Sequence, residues 1–310
     1  WPSSLFGPWP SGRPTNFSRR PGTTTRSTEQ ATNASPHGLR AQVSDAAELR
    51  DLALRVARTV APEILRRSGR VAVESTKSTA TDLVTEVDRW SETRIVERLL
   101  DARPDDSVIG EEGTGVAGTS GVRWVIDPID GTTDFVYRHP GFSVSIAAEV
   151  NGRPVAGVVV DPLGGDEFCA AVAHGTTRNG EPVRVSNVNE PARALVATGF
   201  SYDPEDRRRQ AAVLVDVLPH IRDIRRMGGA ATDLASVSCG RVDAYYEQGI
   251  NHWDRAAGSL LVTEAGGRVT DLNGCDLVGP LLESAPVTVA APTALHDSLL
   301  DLLQRSGVGS

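Results

Sequence analysis

Apolar residues fall on a helical stripe twice before residue 100. Leu49, Leu52, Val56, Val60 and Ile64 recur with a period near 3.6. Asp45 and Glu48 precede them as a capping pair, so order is expected to begin near Ser44. Pro62 is expected to end or kink this helix. A second helix is predicted over Glu86 to Leu100, with Trp90, Ile95, Val96 and Leu99 on or near its buried side. The pattern then changes to short apolar runs. Ser107–Ile109, Arg123–Ile126, Phe142–Val150 and Val155–Val160 read as strands, with a hairpin at Gly152. Glu167–Val172 and Val183–Val185 are expected to flank a turn at Arg178-Asn179-Gly180.

Strands and helices alternate in the second half. Strands are predicted at Leu195–Thr198, Ile221–Arg225, Val242–Tyr246, Arg268–Thr270 and Val287–Ala291. Helices are predicted at Glu205–Leu218, Ala230–Cys239, Asp254–Ala265 and from the last strand to about Gln304. Gly266-Gly267 closes the third of these. A strand-rich half followed by an alternating half predicts layered sheets and helices, an α+β arrangement without internal repeats.

Residues 1–42 differ from the rest, being rich in Pro, Ser, Thr, Gly and Arg without apolar periodicity. They are read as a disordered basic tail, ahead of one folded unit over 43–310. Arg19-Arg20 is not followed by the apolar stretch of an export signal. No stretch is apolar enough to span a membrane. Cys169, Cys239 and Cys275 match no metal or redox spacing and read as reduced, packed thiols. Together these point to a cytoplasmic protein. The formal net charge is −8, and the tail, with five arginines and one glutamate, carries +4. The remaining −12 argues against direct nucleic-acid binding, which rests on clustered Lys and Arg.

The most informative stretch is W-V-I-D-P-I-D-G-T-T-D-F at 124–135. An apolar strand runs into Asp127 and Asp130, Pro128 fixes a dihedral between them, Gly131 permits a tight turn, and Thr132-Thr133 can open a helix. Two carboxylates brought together at a strand end repel unless a cation neutralises them. N–H groups at the following helix start suit a phosphate. A solvated acidic turn is the other reading of these residues. The aspartyl-phosphate loop, which separates its two acids by one residue, is disfavoured because two intervene here. I-G-E-E-G at 109–113 and Trp253-Asp254 supply further acids, and oxygen donors in this number suit Mg²⁺ better than zinc. His252 reads as a packing or surface residue.

With W-D-R-A-A-G at 253–258, these three motifs resemble the inositol monophosphatase family of metal- and lithium-sensitive sugar phosphatases. The resemblance runs from about Ser44 to the C-terminus. It implies the layered α-β-α-β-α sandwich of that type, with a metal-binding half over about 43–190 and a substrate half over about 191–310. It implies that Glu111, Asp127 and the Ile129 carbonyl hold one Mg²⁺, and Asp127, Asp130 and Asp254 a second, with a third, weaker ion often assisting. Gly131 and Thr132 N–H groups would bind phosphate. Asp88, in T-D-L-V-T-E-V-D, would pair with Thr132 to orient the attacking water, and Lys77 would lie near the site. Gly228, Gly229 and Ala230 would line the sugar pocket, and Glu247 would accept from a substrate hydroxyl. The implied mechanism is two-metal, in-line attack by activated water without a phosphoenzyme, the ions being about 3.5–4 Å apart.

The implied substrate is a small-molecule phosphate monoester, with inositol 1-phosphate favoured. Histidinol phosphate, fructose 1,6-bisphosphate and adenosine 3′,5′-bisphosphate are the family's alternatives. A second alternative is a transcription or RNA-processing partner with secondary phosphatase activity. A homodimer is also implied. Two positions depart from the motif: Asp134, where the inositol type usually has asparagine, is expected to face solvent, and Gly229, where threonine is common, is expected to enlarge the pocket wall.

Overall fold

The computed structural model of the chain describes residues 36–70, 73–76, 83–278 and 286–309. The elements comprise α1 (Pro36–Arg67), β1 (Val73–Thr76), β2 (Leu83–Thr85), α2 (Glu86–Ala102), β3 (Ser107–Gly110), β4 (Gly115–Val116), β5 (Val122–Asp130) and α3 (Thr132–Tyr137). There follow β6 (Ser143–Val150), β7 (Arg153–Asp161), β8 (Asp166–Ala171), β9 (Gly175–Arg178), β10 (Glu181–Val183), β11 (Leu195–Thr198), α4 (Pro204–Val217) and β12 (Asp223–Arg225). The chain closes with α5 (Ala230–Ser238), β13 (Ala244–Gln248), α6 (His252–Glu264), β14 (Gly267–Thr270), β15 (Val287–Pro292) and α7 (Thr293–Arg305).

Five layers follow from which side chains meet. Eight strands form a mixed sheet in the order β10-β9-β8-β7-β6-β5-β3-β4, and five form a second in the order β12-β11-β13-β15-β14. Trp124 and Ile126 on β5, Ile146 on β6 and Val158 on β7 point to one face of the large sheet, against Val56, Val60 and Ile64 of α1 and Ile95 and Leu99 of α2. Val125, Ala147 and Val159, on the opposite face, meet Ala231 and Ala235 of α5 and Leu260 and Leu261 of α6. The other side of α5 and α6 covers Tyr245 and Ala290 of the small sheet. Beyond it Ala244, Tyr246 and Val289 pack under Val217 of α4 and Leu299 and Leu303 of α7. Because each sheet is covered on both faces, its central strands are apolar throughout rather than alternating. The architecture is a layered α-β-α-β-α sandwich.

Three local expectations are corrected. The first helix begins at Pro36 rather than near Ser44, so residues 36–42 are helical and Asp45 and Glu48 lie inside the helix instead of capping it. Proline suits a first helical turn, and Leu39, Arg40, Ala41 and Gln42 are good helix formers. Pro62 lies within this helix and does not end it, the helix continuing to Arg67. Burial of Val60, Ala61 and Ile64 offsets the one backbone hydrogen bond that proline removes. The turn at Asn179-Gly180 joins β9 to β10, and β9 itself, G-T-T-R, is too short and polar to be read as a strand. Residues 1–35 and Lys77 lie outside the described residues.

Close packing in the middle layer sets where α6 can lie. A Cβ at Gly258 would stand 2.6 Å from Leu234 Cβ on α5, and one at Gly157 would stand 3.1 Å from the Ala257 Cα. Gly258→Val is therefore expected to destabilise the fold by about 1–3 kcal/mol through overpacking. Urea denaturation checks this, and an unchanged midpoint would show that α5 can retreat freely.

Candidate active site

Glu111 and Asp127 meet because β3 and β5 are parallel neighbours, with Gly110 beside Ile126. The Glu111 N–H donates to the Ile126 carbonyl at 3.1 Å, which holds it at the end of β5. The pairing of β5 with β6 shifts register between Asp127 and Asp130, a bulge that re-aims the two acids. The Ile129 N–H donates to Asp127 Oδ1 at 3.1 Å. Gly131 then turns the chain at φ 84°, a left-handed conformation where a Cβ would come within 2.6 Å of the Gly141 carbonyl. α3 starts at the next residue.

Two further acids arrive at helix starts. Asp88 and Asp254 are the third residues of α2 and α6, and each accepts the N–H of its N-cap residue: Thr85 to Asp88 Oδ2 at 2.8 Å, Asn251 to Asp254 Oδ2 at 2.6 Å. The Thr132 hydroxyl lies 3.1 Å from both Asp88 Oδ1 and the Ile129 carbonyl. Burial raises the Asp88 pKa, and the bonds from Thr85 and Thr132 oppose it.

Carboxylate oxygens of Glu111, Asp127 and Asp254 all lie within 4.8 Å of one another. Burial, then the negative charges of Glu111, Asp130 and Asp254, push Asp127 well above the usual carboxylate range. Such a cluster needs protons or a cation, and with neither His nor Cys in the set the donors fit a hard cation such as Mg²⁺. Asp130 is held differently. Its carboxylate accepts from the N–H groups of Ala230 at 3.0 Å and Ala231 at 2.9 Å, at the start of α5. Burial and Asp254 still hold its pKa well above the ordinary value.

Glu111, Asp127, Ile129, Asp130, Gly131, Thr132, Gly228, Ala230, Glu247 and Asp254 line one cleft of about 830 Å³. Asp88 and Gly229, both buried, are not among its lining residues. Glu247 accepts from the Tyr245 hydroxyl at 2.8 Å, and burial pushes its pKa up to about 7. Gly229 does not enlarge the pocket: a Cβ there would be 2.3 Å from Asp130 Oδ2, so that carboxylate fills the space. Nor does Asp134 face solvent. Its side chain is 17% exposed, packs against Gly228 and lies 3.3 Å from His139 Nδ1. Burial raises the Asp134 pKa against the opposing charges of Arg226 and His139. His252 is a packing residue, its Nε2 lying 2.7 Å from the buried Glu149.

Two features were missed in the sequence. Tyr202, Asp206 and Arg209 form part of the cleft's far wall, from a loop and helix that carry no motif. Asp233 is buried beneath it, with Oδ1 lacking a hydrogen-bond partner. An acid within A-A-T-D-L-A-S-V-S was the available signal for Asp233.

Comparisons with known proteins give the family. The profile of the inositol monophosphatase family matches residues 45–307. The chain is 45% identical over 239 residues to "Inositol-1-monophosphatase SuhB" of Mycobacterium tuberculosis, covering 74% of this chain and 80% of that protein. It is 37% identical over 265 residues to "Nus factor SuhB" of Salmonella typhimurium, covering 80% and 98%. The crystal structure of extragenic suppressor protein suhB from Bartonella henselae superposes with a TM-score of 0.77 at 33% identity, over 83% of this chain and 99% of that one. The chain belongs to the inositol monophosphatase family.

Proposed function

We propose that the protein is a Mg²⁺-dependent phosphomonoesterase that hydrolyses inositol 1-phosphate. The observation that carries this reading is the cluster of Glu111, Asp127 and Asp254, the second buried and the others half-buried, beside the Asp88–Thr132 pair. In this reading Glu111, Asp127, the Ile129 carbonyl, Asp130 and Asp254 hold the metal ions. Bound there, the ions would lower the pKa of a water and neutralise charge on the phosphate and the departing alkoxide. Asp88 accepts from Thr132, leaving the threonine oxygen to accept from the attacking water and fix its line of approach. N–H groups of Gly131 and Thr132 bind the phosphate oxygens. Glu247 and the Gly228–Ala230 segment take the polyol. Hydrolysis without a phosphoenzyme belongs to the same proposal, because two residues rather than one separate Asp127 and Asp130. A homodimer belongs to the same proposal and is checked by light scattering.

The test is phosphate release with and without Mg²⁺ from inositol 1-phosphate, histidinol phosphate, fructose 1,6-bisphosphate and adenosine 3′,5′-bisphosphate. The expected outcome is Mg²⁺-dependent release, fastest from inositol 1-phosphate. Faster release from another substrate would keep the metal site and replace the substrate. The Salmonella relative's name supports a second reading, as a partner of a transcription complex. Absence of turnover in a folded protein, with capture of a transcription-complex protein unchanged by Asp127→Asn, would favour it.

A further inference from the structure

The stripe of α2 that faces the core is not apolar along its whole length. Its buried residues are Val87, Asp88, Ser91, Glu92, Ile95 and Leu99. Ile95 and Leu99 continue the helical period that Asp88, Ser91 and Glu92 begin, so three polar side chains occupy core positions in the first two turns. Burying a carboxylate is costly unless hydrogen bonds compensate it, which makes the destination of each one informative. Asp88 reaches Thr132. The Ser91 hydroxyl points to the Pro128 carbonyl at 3.5 Å. Glu92, 3% exposed and one helical turn beyond Asp88, reaches a different loop.

That loop is the turn carrying Glu111. It closes through the Gly110 N–H, which donates to the Thr114 carbonyl at 2.9 Å. Glu92 sits inside it: Oε2 accepts from the Glu112 N–H at 2.8 Å, and Oε1 accepts from the Thr114 N–H at 3.0 Å and the Thr114 hydroxyl at 2.5 Å. A Cβ at Gly110 would lie 2.3 Å from Glu92 Oε2, so the absence of a side chain there lets the carboxylate in. Glu111 is thereby pinned on both sides, by its own N–H on the Ile126 carbonyl and by the next N–H on Glu92.

We propose that Glu92 is a positioning residue of the metal site, its carboxylate filling the 110–114 turn and holding Glu111 in register with Asp127. The inference rests on the metal-site reading given above. α2 then acts as a rigid bracket whose one face orients two loops, Asp88 the Thr132 loop and Glu92 the Glu111 loop. Groups that orient ligands in this way typically change metal affinity by about 10–100-fold when removed.

The experiment is calorimetric titration of the metal-free protein with Mg²⁺, for the parent, Glu92→Gln and Thr114→Val, with thermal melting of each. Glu92→Gln replaces an acceptor oxygen by a donor that cannot serve these N–H groups, and its Mg²⁺ affinity is expected to fall about 10-fold or more. Thr114→Val removes one bond to Glu92 with charge unchanged, and a smaller fall is expected. A fall in both variants separates positioning from loss of a nearby negative charge. Both variants, folded, binding Mg²⁺ within about twofold of the parent would overturn the proposal while leaving the metal-site reading intact, even with lowered melting temperatures. If Glu92→Gln does not fold, Thr114→Val alone decides. A parent that binds no Mg²⁺ would overturn the metal-site reading, and the role of Glu92 with it.

Discussion

Asp127→Asn is expected to lower Mg²⁺-dependent phosphate release by roughly 10³-fold or more, because it removes several kcal/mol of charge stabilisation. The residue sits where the geometry leaves no substitute. It is 1% exposed, it lies in the three-carboxylate cluster, and one of its oxygens already accepts the Ile129 N–H. An amide in its place offers one weaker oxygen and an NH₂ that repels a cation. The same change should raise the metal-free melting temperature near pH 8, since it deletes a buried charge facing Glu111, Asp130 and Asp254. Activity lost while stability is gained is the signature of a site held against its own repulsion. A melting temperature that falls together with activity would mean that Asp127 serves the fold. Turnover within tenfold of the parent would remove it from the chemistry.

The second large effect is on stability, through metal and pH together. Asp127 and Asp130 have native pKa values well above the unfolded value of about 3.9, and those of Asp88, Asp233 and Glu247 are raised as well, the last to about 7. A native state that keeps protons the unfolded chain has released loses stability as pH rises. The metal-free protein should therefore be most stable in mild acid and weaken from about pH 4 upward through the native values. Glu149, held below its ordinary value by His252 and Arg123, works in the opposite direction, as do Glu63, Asp166, Glu167, Asp223 and Asp297 beside their arginine partners. Most of those ion pairs, however, lie at the surface, where solvent screens them. Mg²⁺ bound at the acidic cluster would take over the protons' role only once they have left. At about a hundredfold excess over its dissociation constant it should add about 2.7 kcal/mol, or about 5–10 °C, at pH 8, and much less at pH 5. Scanning calorimetry at the two pH values, with Mg²⁺ or chelator, checks this. An equal gain at both, or none at pH 8, would contradict the cation site.

Family membership also bears on how the chemistry could be redirected. The cleft wall from Phe200 to Gln210 comes from the segment between β11 and α4 and the start of α4, whereas Glu111, Asp127, Asp130 and Asp254 follow β3, lie on β5 or open α6. The wall and the acidic cluster share no residue, so either can vary in sequence without replacing a residue of the other.

The sequence by itself determined the local half of this protein. Apolar runs and periods marked α2, β5, β6, β7, α5 and α6, because each buries enough of one face for its pattern to outweigh propensity. W-V-I-D-P-I-D-G-T-T announced a strand, a turn and a helix start with two acids between them, since proline, glycine and threonine act over neighbouring residues. Contacts between distant residues were decided only by the tertiary structure. That Asp254 reaches Glu111 and Asp127 depends on α6 packing through Gly258 and Ala257 between two sheets. That Asp130 meets α5, Asp134 meets Gly228, and Asp233 Oδ1 is buried without a hydrogen-bond partner depends on where α5 and the segment before it are laid down. The role of Glu92 was hidden for the same reason. A glutamate on a helix is ordinarily solvated, and only the turn folded around it, with Gly110 making room, gives that carboxylate something to hold.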